Sequence, residues 1–319
     1  MSSRIIGCGS YLPSYILTNE ELTKSIDSTV EWIKTRTGID ERRIAKDQSN
    51  LDMAYHASLL ALENSGLQSH EIDLIIVATT SSDQIFPSLA VRLQGLLGLN
   101  NIPAFDIQAV CSGFIYGLHL ADSLIKSKQY KNILLIGSEK MSQIMDWTDR
   151  STCILFGDGA GALIIQSQDN QYGIIDSQIF SDGSKHDILF SEYISNDQLD
   201  RKNYGTITMN GREVFKLAVN YMKSSIDNIL QKNNLDISKI DLLIPHQANI
   251  RIIDALAEKL AMDDKKIVKT INIHSNCSAA SIPLAIDHAL KNNQLKSGDL
   301  VVLVAFGGGL TWGTCLLKW

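Results

Sequence analysis

The feature of this sequence that most constrains its fold is a repeat that runs through both halves of the chain. The segment NSGLQSHEIDLIIVATT resembles NNLDISKIDLLIPHQAN, which aligns Asp73 with Asp241. The segment AVCSGFIYGLHLADSLIK resembles HSNCSAASIPLAIDHALK, which aligns Asp122 with Asp287, and NILLIGSE and DLVVLVAFGGG follow in the same order. This period is far too long for a solenoid. The sequence therefore predicts two duplicated halves, residues 1–167 and 168–319.

The repeated segments also predict an α/β fold. IDLIIVATT and KNILLIGSEK are apolar runs typical of parallel strands that are covered on both faces. Apolar residues at helical spacing occupy residues 50–65 and stop before Gly66, which predicts a helix. We interpret GDGAGALIIQS as a glycine-rich turn into a strand, and the polar, aperiodic residues 181–204 as a long surface excursion. Two halves packed face to face would bring matching strand ends to one central cleft.

Composition and cysteine usage exclude several classes of protein. A formal net charge of −6 argues against a broad surface for nucleic acid. No apolar run approaches the length of a transmembrane helix, and MSSRIIGCGS lacks the pattern of a signal peptide. The five cysteines are widely spaced and include no C-x-x-C pair, which argues against disulfides and zinc. We therefore predict a cytoplasmic protein with no metal site, no nucleic-acid partner and no membrane association.

Cys111 stands where a strand is followed by a helix. AFDIQAV precedes it with the pattern of a buried strand, and apolar residues at helical spacing follow it. A thiol at a helix start meets free N–H groups and the positive end of the helix dipole. Both effects favour the thiolate, which is the nucleophilic form. The alternative is a small buried core cysteine, and this stretch alone leaves both interpretations open.

The repeat predicts which other polar residues lie near this thiol. At the offset set by the repeated helices, Cys111 aligns with Asn276, so both residues would start a central helix. At the offset of the repeated strands, His246 aligns with Ala78 and would end a strand beside them, where α/β sheets carry functional groups. The alternatives are a core histidine and a helix N-cap asparagine. The glycines of FGGGLTWG could offer backbone N–H groups to an oxyanion, or could simply form a tight turn.

Five motifs together carry a family resemblance. AVCSGFIYGL, FGDGAGA, PHQANIRII, SNCSAASIPLA and AFGGGLTWG occur in the order typical of the thiolase superfamily, and the chain resembles the 3-oxoacyl-[acyl-carrier-protein] synthase III family in particular. EWIKTRTGIDERRIA and GREVFKLAV extend the similarity over nearly the whole chain. The resemblance implies a thiolase-like fold, in which two duplicated halves with central mixed sheets form αβαβα layers.

The resemblance also implies a reaction. Cys111, His246 and Asn276 would form the catalytic triad, and the N–H groups of Cys111 and Gly308 would form the oxyanion hole. Cys111 would take an acyl group, acetyl by default, from coenzyme A. Decarboxylation of malonyl-acyl-carrier protein would then generate a carbanion that attacks the acyl-cysteine. The family needs no cofactor, because coenzyme A enters as part of a substrate.

The family resemblance also implies which residues of this chain bind the substrates. Four residues match the family's coenzyme A contacts, namely Ser28, Trp32, Arg36 and Arg150. Three basic residues match contacts to the acidic carrier protein, namely Lys216, Arg251 and Lys259. Phe86 matches a residue that the second subunit of a homodimer supplies to the acyl pocket. Two positions depart from the family: Ser275 stands where many relatives have Gly, and Glu258 where a further Lys is often found.

Three alternatives remain at the level of sequence. An enzyme of secondary metabolism could keep the same fold and triad but use another primer or acceptor. A thioester-binding protein without turnover would not need Cys111, His246 and Asn276 together. A dinucleotide-dependent oxidoreductase is disfavoured because no GxGxxG follows the first strand.

Overall fold

The computed structural model describes residues 2–191 and 205–319. The strands of these ranges are β1 (Ser2–Tyr11), β2 (Ile16–Thr18), β3 (Glu41–Arg43), β4 (Leu74–Ala78), β5 (Ala104–Ile107), β6 (Asn132–Lys140), β7 (Asp158–Gln168), β8 (Gly173–Ser181), β9 (Leu189–Ser191), β10 (Ile207–Met209), β11 (Leu242–Pro245), β12 (Leu300–Gly307) and β13 (Thr311–Lys318). Their α-helices are α1 (Asn19–Leu22), α2 (Val30–Thr37), α3 (Asn50–Ser65), α4 (Leu89–Leu96), α5 (Gly113–Lys126), α6 (Gly211–Lys232), α7 (Ile250–Leu260), α8 (Ile271–His274) and α9 (Ser281–Lys291).

Two mixed sheets repeat the same plan. The first has the order β5-β4-β6-β7-β1, with β4 parallel to β5 and β6. The second has the order β11-β12-β13-β8, with β11 parallel to β12. A parallel bridge from Leu243 to Ile267 stands where a fifth strand would complete the match. The backbone N–H groups of Asp73 and Asp241 donate to Asn132 and Leu300 over the same distance, 2.9 Å. The predicted duplication is therefore confirmed.

The layers of the fold follow from which faces of the two sheets are apolar. Helices α5 and α9 lie between the sheets, where Phe114 and Ile286 share one core with Leu135 and Leu303. Helices α3 and α4 cover the outer face of the first sheet, and α6 and α7 cover that of the second. All five residues of β4 are buried, as expected for a strand with helices on both sides. The result is the predicted αβαβα arrangement; the boundary at residues 167 and 168 stays a prediction.

Helix α3 shows how local chemistry sets the limits of an element. Ser49 accepts from the N–H of Asp52, and the Asp52 carboxylate accepts from the N–H of Ser49, which is a complete capping box. Gly66 ends the helix at φ 74°, a left-handed conformation that glycine adopts without a steric cost. The helix predicted over residues 50–65 is confirmed.

Two local predictions were wrong. Gly159 and Gly161 of GDGAG lie within β7 rather than in a turn before it, because helix α9 packs directly on the strand, and Gly157 precedes the strand. A Cβ atom at Gly161 would stand 2.6 Å from the Cβ atom of Pro283. The excursion predicted for residues 181–204 contains β9, which pairs with β10 through Phe190 and Thr208. Residues 192–204 of that prediction lie outside the described residues. No helix in the described ranges combines the length and apolarity needed to cross a bilayer.

Candidate active site

Two cavities share Cys111 as a wall residue. One has a volume of about 420 Å³ and the other about 810 Å³. Cys111 lies in a short 3₁₀ helix, Val110–Ser112, which leads into α5, and its side chain is buried. Phe156 and Leu189 also line both cavities. The thiol therefore stands between two spaces that could hold different parts of one substrate or two substrates in turn.

The smaller cavity brings together the three polar residues that the repeat predicted to converge. Cys111, His246 and Asn276 all line it. The two helix starts match in conformation as well as in position, because Val110 and Ser275, which precede Cys111 and Asn276, have φ values of 47° and 56°. A positive φ is rare for residues with a Cβ atom. Both halves thus strain the backbone just before a cavity-lining residue.

His246 is a neutral hydrogen-bonding group. It follows β11, and its ring Nδ1 lies 2.5 Å from Ser281 Oγ. The N–H of Gln247 already donates to Ser281 Oγ, so the hydroxyl hydrogen is free to bond with Nδ1. Burial lowers the pKa of His246 to about 3. A neutral ring that accepts at Nδ1 carries its proton on Nε2, and His246 can then donate into the cavity.

Asn276 is held so that its amide nitrogen is available. Its side-chain Oδ1 accepts from the N–H of Ser278 at 2.9 Å. Its own backbone N–H donates to the carbonyl of Leu155, and its carbonyl accepts from Gly157. With the oxygen of the carboxamide engaged and the backbone fixed on both sides, the NH₂ group is the part of the side chain free to meet a ligand.

Ser275 occupies a conformation that suits glycine. Its φ of 56° and ψ of −163° lie near a region that residues with side chains almost never adopt. Gly157 leaves room for it, because a Cβ atom there would come within 2.3 Å of Ser275 Oγ. The departure from glycine noted in the sequence is therefore accommodated at the cost of backbone strain.

This strain leads to a stability prediction. Ser275→Gly and Ser275→Ala both remove the hydroxyl group that bonds to the carbonyl of His274, but only the glycine variant also relieves the strain. Relief of roughly 1–3 kcal/mol exceeds the greater chain entropy of glycine, about 0.5–1 kcal/mol. We expect Ser275→Gly to be more stable than Ser275→Ala by about 1 kcal/mol in urea unfolding. An alanine variant as stable as the glycine variant would show that the site holds no such strain.

The state of the Cys111 thiol differs from the sequence-based prediction. Burial raises its pKa to about 12, and the nearby charge of Glu139 acts in the same direction. A hydrogen bond with Ser278 lowers the pKa but does not compensate for the burial. The helix start was expected to favour the thiolate, whereas burial of the side chain favours the protonated thiol.

The glycine loop between β12 and β13 approaches the backbone of Cys111 closely. A Cβ atom at Gly307 would stand 2.8 Å from the Cys111 nitrogen, so a larger residue would displace one of the two segments. Gly308 lines the larger cavity together with Cys111. The loop is both the predicted tight turn and a wall of the cavity.

The residues that the family resemblance assigns to coenzyme A binding lie near one another at the surface. Arg36 lines the smaller cavity, and Trp32 is 37% exposed. The Arg150 guanidinium carbon lies 5.4 Å from the centre of the Trp32 ring, and Arg150 donates to the carbonyl of Asp27. A base stacked between the Arg150 guanidinium and the Trp32 ring would require these two groups to be about 7 Å apart, which is two van der Waals contact distances. The slot is therefore closed, and Ser28 Oγ is buried without a hydrogen-bond partner among the described residues.

Of the residues that the resemblance assigns to the carrier protein and to the second subunit, Arg251 lines the smaller cavity and the others do not. Arg251 lines this cavity, and its guanidinium lies 5.7 Å from the centre of the Phe215 ring. Lys216 and Lys259 are exposed on α6 and α7 and line neither cavity. Phe86 is 83% exposed, although its neighbour Ile85 borders the larger cavity. The described ranges contain no group of His, Cys, Asp or Glu side chains that could hold a metal ion.

Three functional candidates were missed at the level of sequence. Ser281 contacts the His246 ring, Ser278 contacts the Cys111 thiol, and Glu139 bonds to Ser278. Glu139 had a detectable signal, because it is a carboxylate at the carboxyl end of an apolar strand, where α/β sheets place functional groups. The two serines had none, because small residues in SNCSAAS indicate close packing equally well.

The layering of the fold and the position of Cys111 define the class of thiolase-fold condensing enzymes. Residues 105–183 match the family model described as 3-oxoacyl-[acyl-carrier-protein (ACP)] synthase III, and residues 230–319 match that of its C-terminal part. The beta-ketoacyl-[acyl-carrier-protein] synthase III of Rickettsia bellii is 50% identical, with each chain covered in full. The chain belongs to the 3-oxoacyl-[acyl-carrier-protein] synthase III family, and it is an acyltransferase of the condensing type.

Solved structures agree with this assignment. The 3-oxoacyl-[acyl-carrier-protein] synthase III of Aquifex aeolicus is 46% identical and superposes with a TM-score of 0.94, with 99% of this chain and 100% of that chain covered. The corresponding enzyme of Pseudomonas aeruginosa is 38% identical and also superposes with a TM-score of 0.94, with 100% of this chain and 98% of that chain covered. The similarity therefore extends over both halves of the fold.

Proposed function

We propose that this protein condenses an acyl group from coenzyme A with malonyl-acyl-carrier protein, and so forms the first 3-oxoacyl product of fatty-acid synthesis. The family assignment and the relatives named beta-ketoacyl-[acyl-carrier-protein] synthase III support this function. The single observation that supports the chemistry most directly is that Cys111 borders two cavities, one of which also contains His246 and Asn276. One thiol can thus accept an acyl group from one side and present it to a second substrate.

The first half-reaction loads the enzyme. Cys111 attacks the thioester carbonyl of acyl-coenzyme A, and the developing oxyanion is stabilised by the N–H groups of Cys111 and Gly308. Coenzyme A leaves through the smaller cavity, whose mouth carries Arg36, and the acyl chain extends into the larger cavity. Binding of the adenine at Trp32 requires Arg150 to move outward, which its exposed and flexible side chain allows.

The second half-reaction forms the carbon–carbon bond. Malonyl-acyl-carrier protein enters the smaller cavity, and loss of carbon dioxide leaves an enolate at the thioester. The Nε2–H of His246 and the amide NH₂ of Asn276 donate to the enolate oxygen, which needs no strong base. The carbanion then attacks the acyl-Cys111 thioester, and the 3-oxoacyl-carrier protein departs. The site chemistry as proposed uses side chains and backbone alone, with no separate cofactor.

The proposal includes partners and location. Lys216, Arg251 and Lys259 would meet the acidic carrier protein, a local role compatible with a net charge of −6 for the whole chain. Exposed Phe86 would reach the acyl pocket of a second subunit in a homodimer, and its neighbour Ile85 lies at the larger cavity of its own chain. We place the enzyme in the cytoplasm, where coenzyme A thioesters and reduced cysteines occur together. The alternative of a secondary-metabolism enzyme is not favoured by the full-length relatives.

Acyl loading of Cys111 tests the function and identifies the primer. The enzyme is incubated separately with acetyl-, isobutyryl- and octanoyl-coenzyme A, and the peptide that contains Cys111 is examined by mass spectrometry. We expect the acetyl adduct to form fastest. Loading by a longer chain alone would leave the enzyme class intact but change the primer. No adduct from any of the three thioesters would contradict the proposed function.

A further inference from the structure

A buried glutamine follows His246 directly in the chain. His246, Ala248 and Asn249 line the smaller cavity, whereas Gln247, which lies among them in the sequence, lines neither cavity. The Gln247 side chain is fully buried. A buried carboxamide costs free energy unless its polar atoms are hydrogen-bonded. Gln247 is therefore placed to act on the protein groups that it bonds, and not on a substrate.

The carboxamide of Gln247 makes the four hydrogen bonds of which it is capable. Its Nε2 donates to the carbonyls of Pro245 and Val268, at 2.8 and 3.1 Å. Its Oε1 accepts from the backbone N–H groups of Thr270 and Ile271, also at 2.8 and 3.1 Å. Two carbonyls on one side and two N–H groups on the other fix which end of the carboxamide is the oxygen. The side chain therefore has one orientation.

The partners of this carboxamide belong to the two segments that carry the proposed enolate donors. Pro245 ends β11 and immediately precedes His246. Thr270 and Ile271 stand at the start of α8, which leads to Asn276. One buried side chain thus joins the strand end that carries the histidine to the helix start that precedes the asparagine.

The single turn of α8 connects the glutamine to Asn276. The carbonyl of Thr270 accepts from the N–H of His274 at 2.8 Å, and the carbonyl of Ile271 accepts from the N–H of Ser275 at 3.0 Å. The two residues whose N–H groups bond to the glutamine therefore hold, through their carbonyls, the two residues just before Asn276. A displacement of the start of α8 would be passed along this turn to the asparagine.

We propose that Gln247 is a positioning residue that sets the separation of His246 and Asn276, so that both donate to one enolate oxygen. This inference rests on the proposed function. Two donors stabilise the same oxygen only when both reach it within hydrogen-bond distance, and an error of about 1 Å in such an arrangement is costly. Acyl loading, which uses the N–H groups of Cys111 and Gly308, does not depend on this alignment.

The two half-reactions of Gln247→Met test the positioning role. Methionine keeps the length of the side chain but makes none of the four hydrogen bonds. The kcat for decarboxylation of malonyl-carrier protein should fall by at least about tenfold with a smaller change in KM, because transition-state stabilisation is lost. Acetyl loading of Cys111, followed by mass spectrometry, should stay close to the wild-type rate. Unchanged decarboxylation, or equal loss of both half-reactions in the folded variant, would overturn the inference.

A double-mutant cycle distinguishes positioning from an independent effect on the rate. Asn276→Ala removes one of the two donors, so their alignment no longer matters. In that background Gln247→Met should reduce decarboxylation much less than it does in the wild type. The same fold-loss in both backgrounds would contradict the positioning role. If the methionine variant does not fold, Gln247→Glu replaces it in the cycle, because its carboxylate still accepts from the start of α8 but cannot donate to the two carbonyls.

Asn132→Leu is the matched control for the loss of a buried carboxamide. Asn132 begins β6, is buried and lines neither cavity. Its Nδ2 donates to the carbonyl of Glu71 at 2.8 Å, and its Oδ1 accepts from Gln166 at 2.9 Å. The ratio of decarboxylation to acyl loading should remain that of the wild type. Loss of decarboxylation alone in this control would show that the split is not specific to Gln247 and would overturn the inference.

Amide hydrogen exchange separates this inference from the proposed function, because it needs no substrate. In Gln247→Met the start of α8 loses its acceptor, so residues 268–276 should exchange at least about tenfold faster while residues 113–126 of α5 keep the wild-type rate. Unchanged exchange in residues 268–276 would refute the positioning role. Faster exchange in the variant, together with a wild-type enzyme that releases no carbon dioxide, would contradict the proposed function alone.

Discussion

Cys111→Ala is expected to abolish acyl transfer while leaving some decarboxylation of malonyl-carrier protein. The variant removes the only atom that can form the acyl-enzyme in the proposed mechanism, so condensation should fall by at least about 10³-fold. His246 and Asn276 line the cavity independently of the thiol, and their donors should still stabilise the enolate. Radiolabelled carbon dioxide release and formation of 3-oxoacyl product are measured in parallel. Equal loss of both in a folded variant would contradict separate roles for these residues.

The matched control for this experiment is a second buried cysteine. Cys315 lies in β13, is fully buried, and lines neither cavity. Cys315→Ala should load acyl groups on Cys111 as the wild-type enzyme does. If acylation is lost in this control as well, damage to the fold rather than loss of the nucleophile explains the result.

His246→Ala is expected to lower the rate of malonyl decarboxylation by about 10²–10³-fold, the usual effect of losing one hydrogen bond to a developing oxyanion. The loss should appear in decarboxylation and condensation alike, while acyl loading of Cys111 should fall much less. Loading on Cys111 that fell as far as decarboxylation would show that His246 also assists the first step. His274→Ala is the matched control, because His274 is also buried but lines neither cavity.

The same histidine predicts the pH dependence of decarboxylation. The pKa of His246 is lowered by burial to about 3, so the ring stays neutral and keeps its Nε2–H donor from about pH 8 down to about pH 5. Across this pH range, the wild-type decarboxylation rate should not fall with the midpoint that is typical of an ordinary histidine. A midpoint near 6.5 that disappears in His246→Ala would show that the ring titrates in the folded enzyme.

The architecture could be predicted from the sequence because it depends on periodic patterns. The match of Asp73 with Asp241 predicted equivalent strands, and both residues bond across their sheets in the same way. The capped helix at residues 50–65 followed from apolar spacing and from Gly66. GDGAG misled because a glycine that makes room for a packed helix looks the same as a glycine in a turn. Only the position of α9 on β7 distinguishes the two.

The residue types and convergence of the candidate site were also determined by the sequence, since the repeat aligned Cys111 with Asn276 and placed His246 at a strand end. The ionisation of these groups was decided by the tertiary structure alone. A pKa depends on how much water is removed and on which charges and hydrogen bonds remain, and those neighbours come from distant segments. Glu139 and Ser278 are separated by 139 residues yet share one hydrogen bond. For that reason the sequence identified the thiol as a candidate nucleophile, but only the fold showed that burial raises the pKa of this thiol and that the buried carboxylate of Glu139 lies nearby.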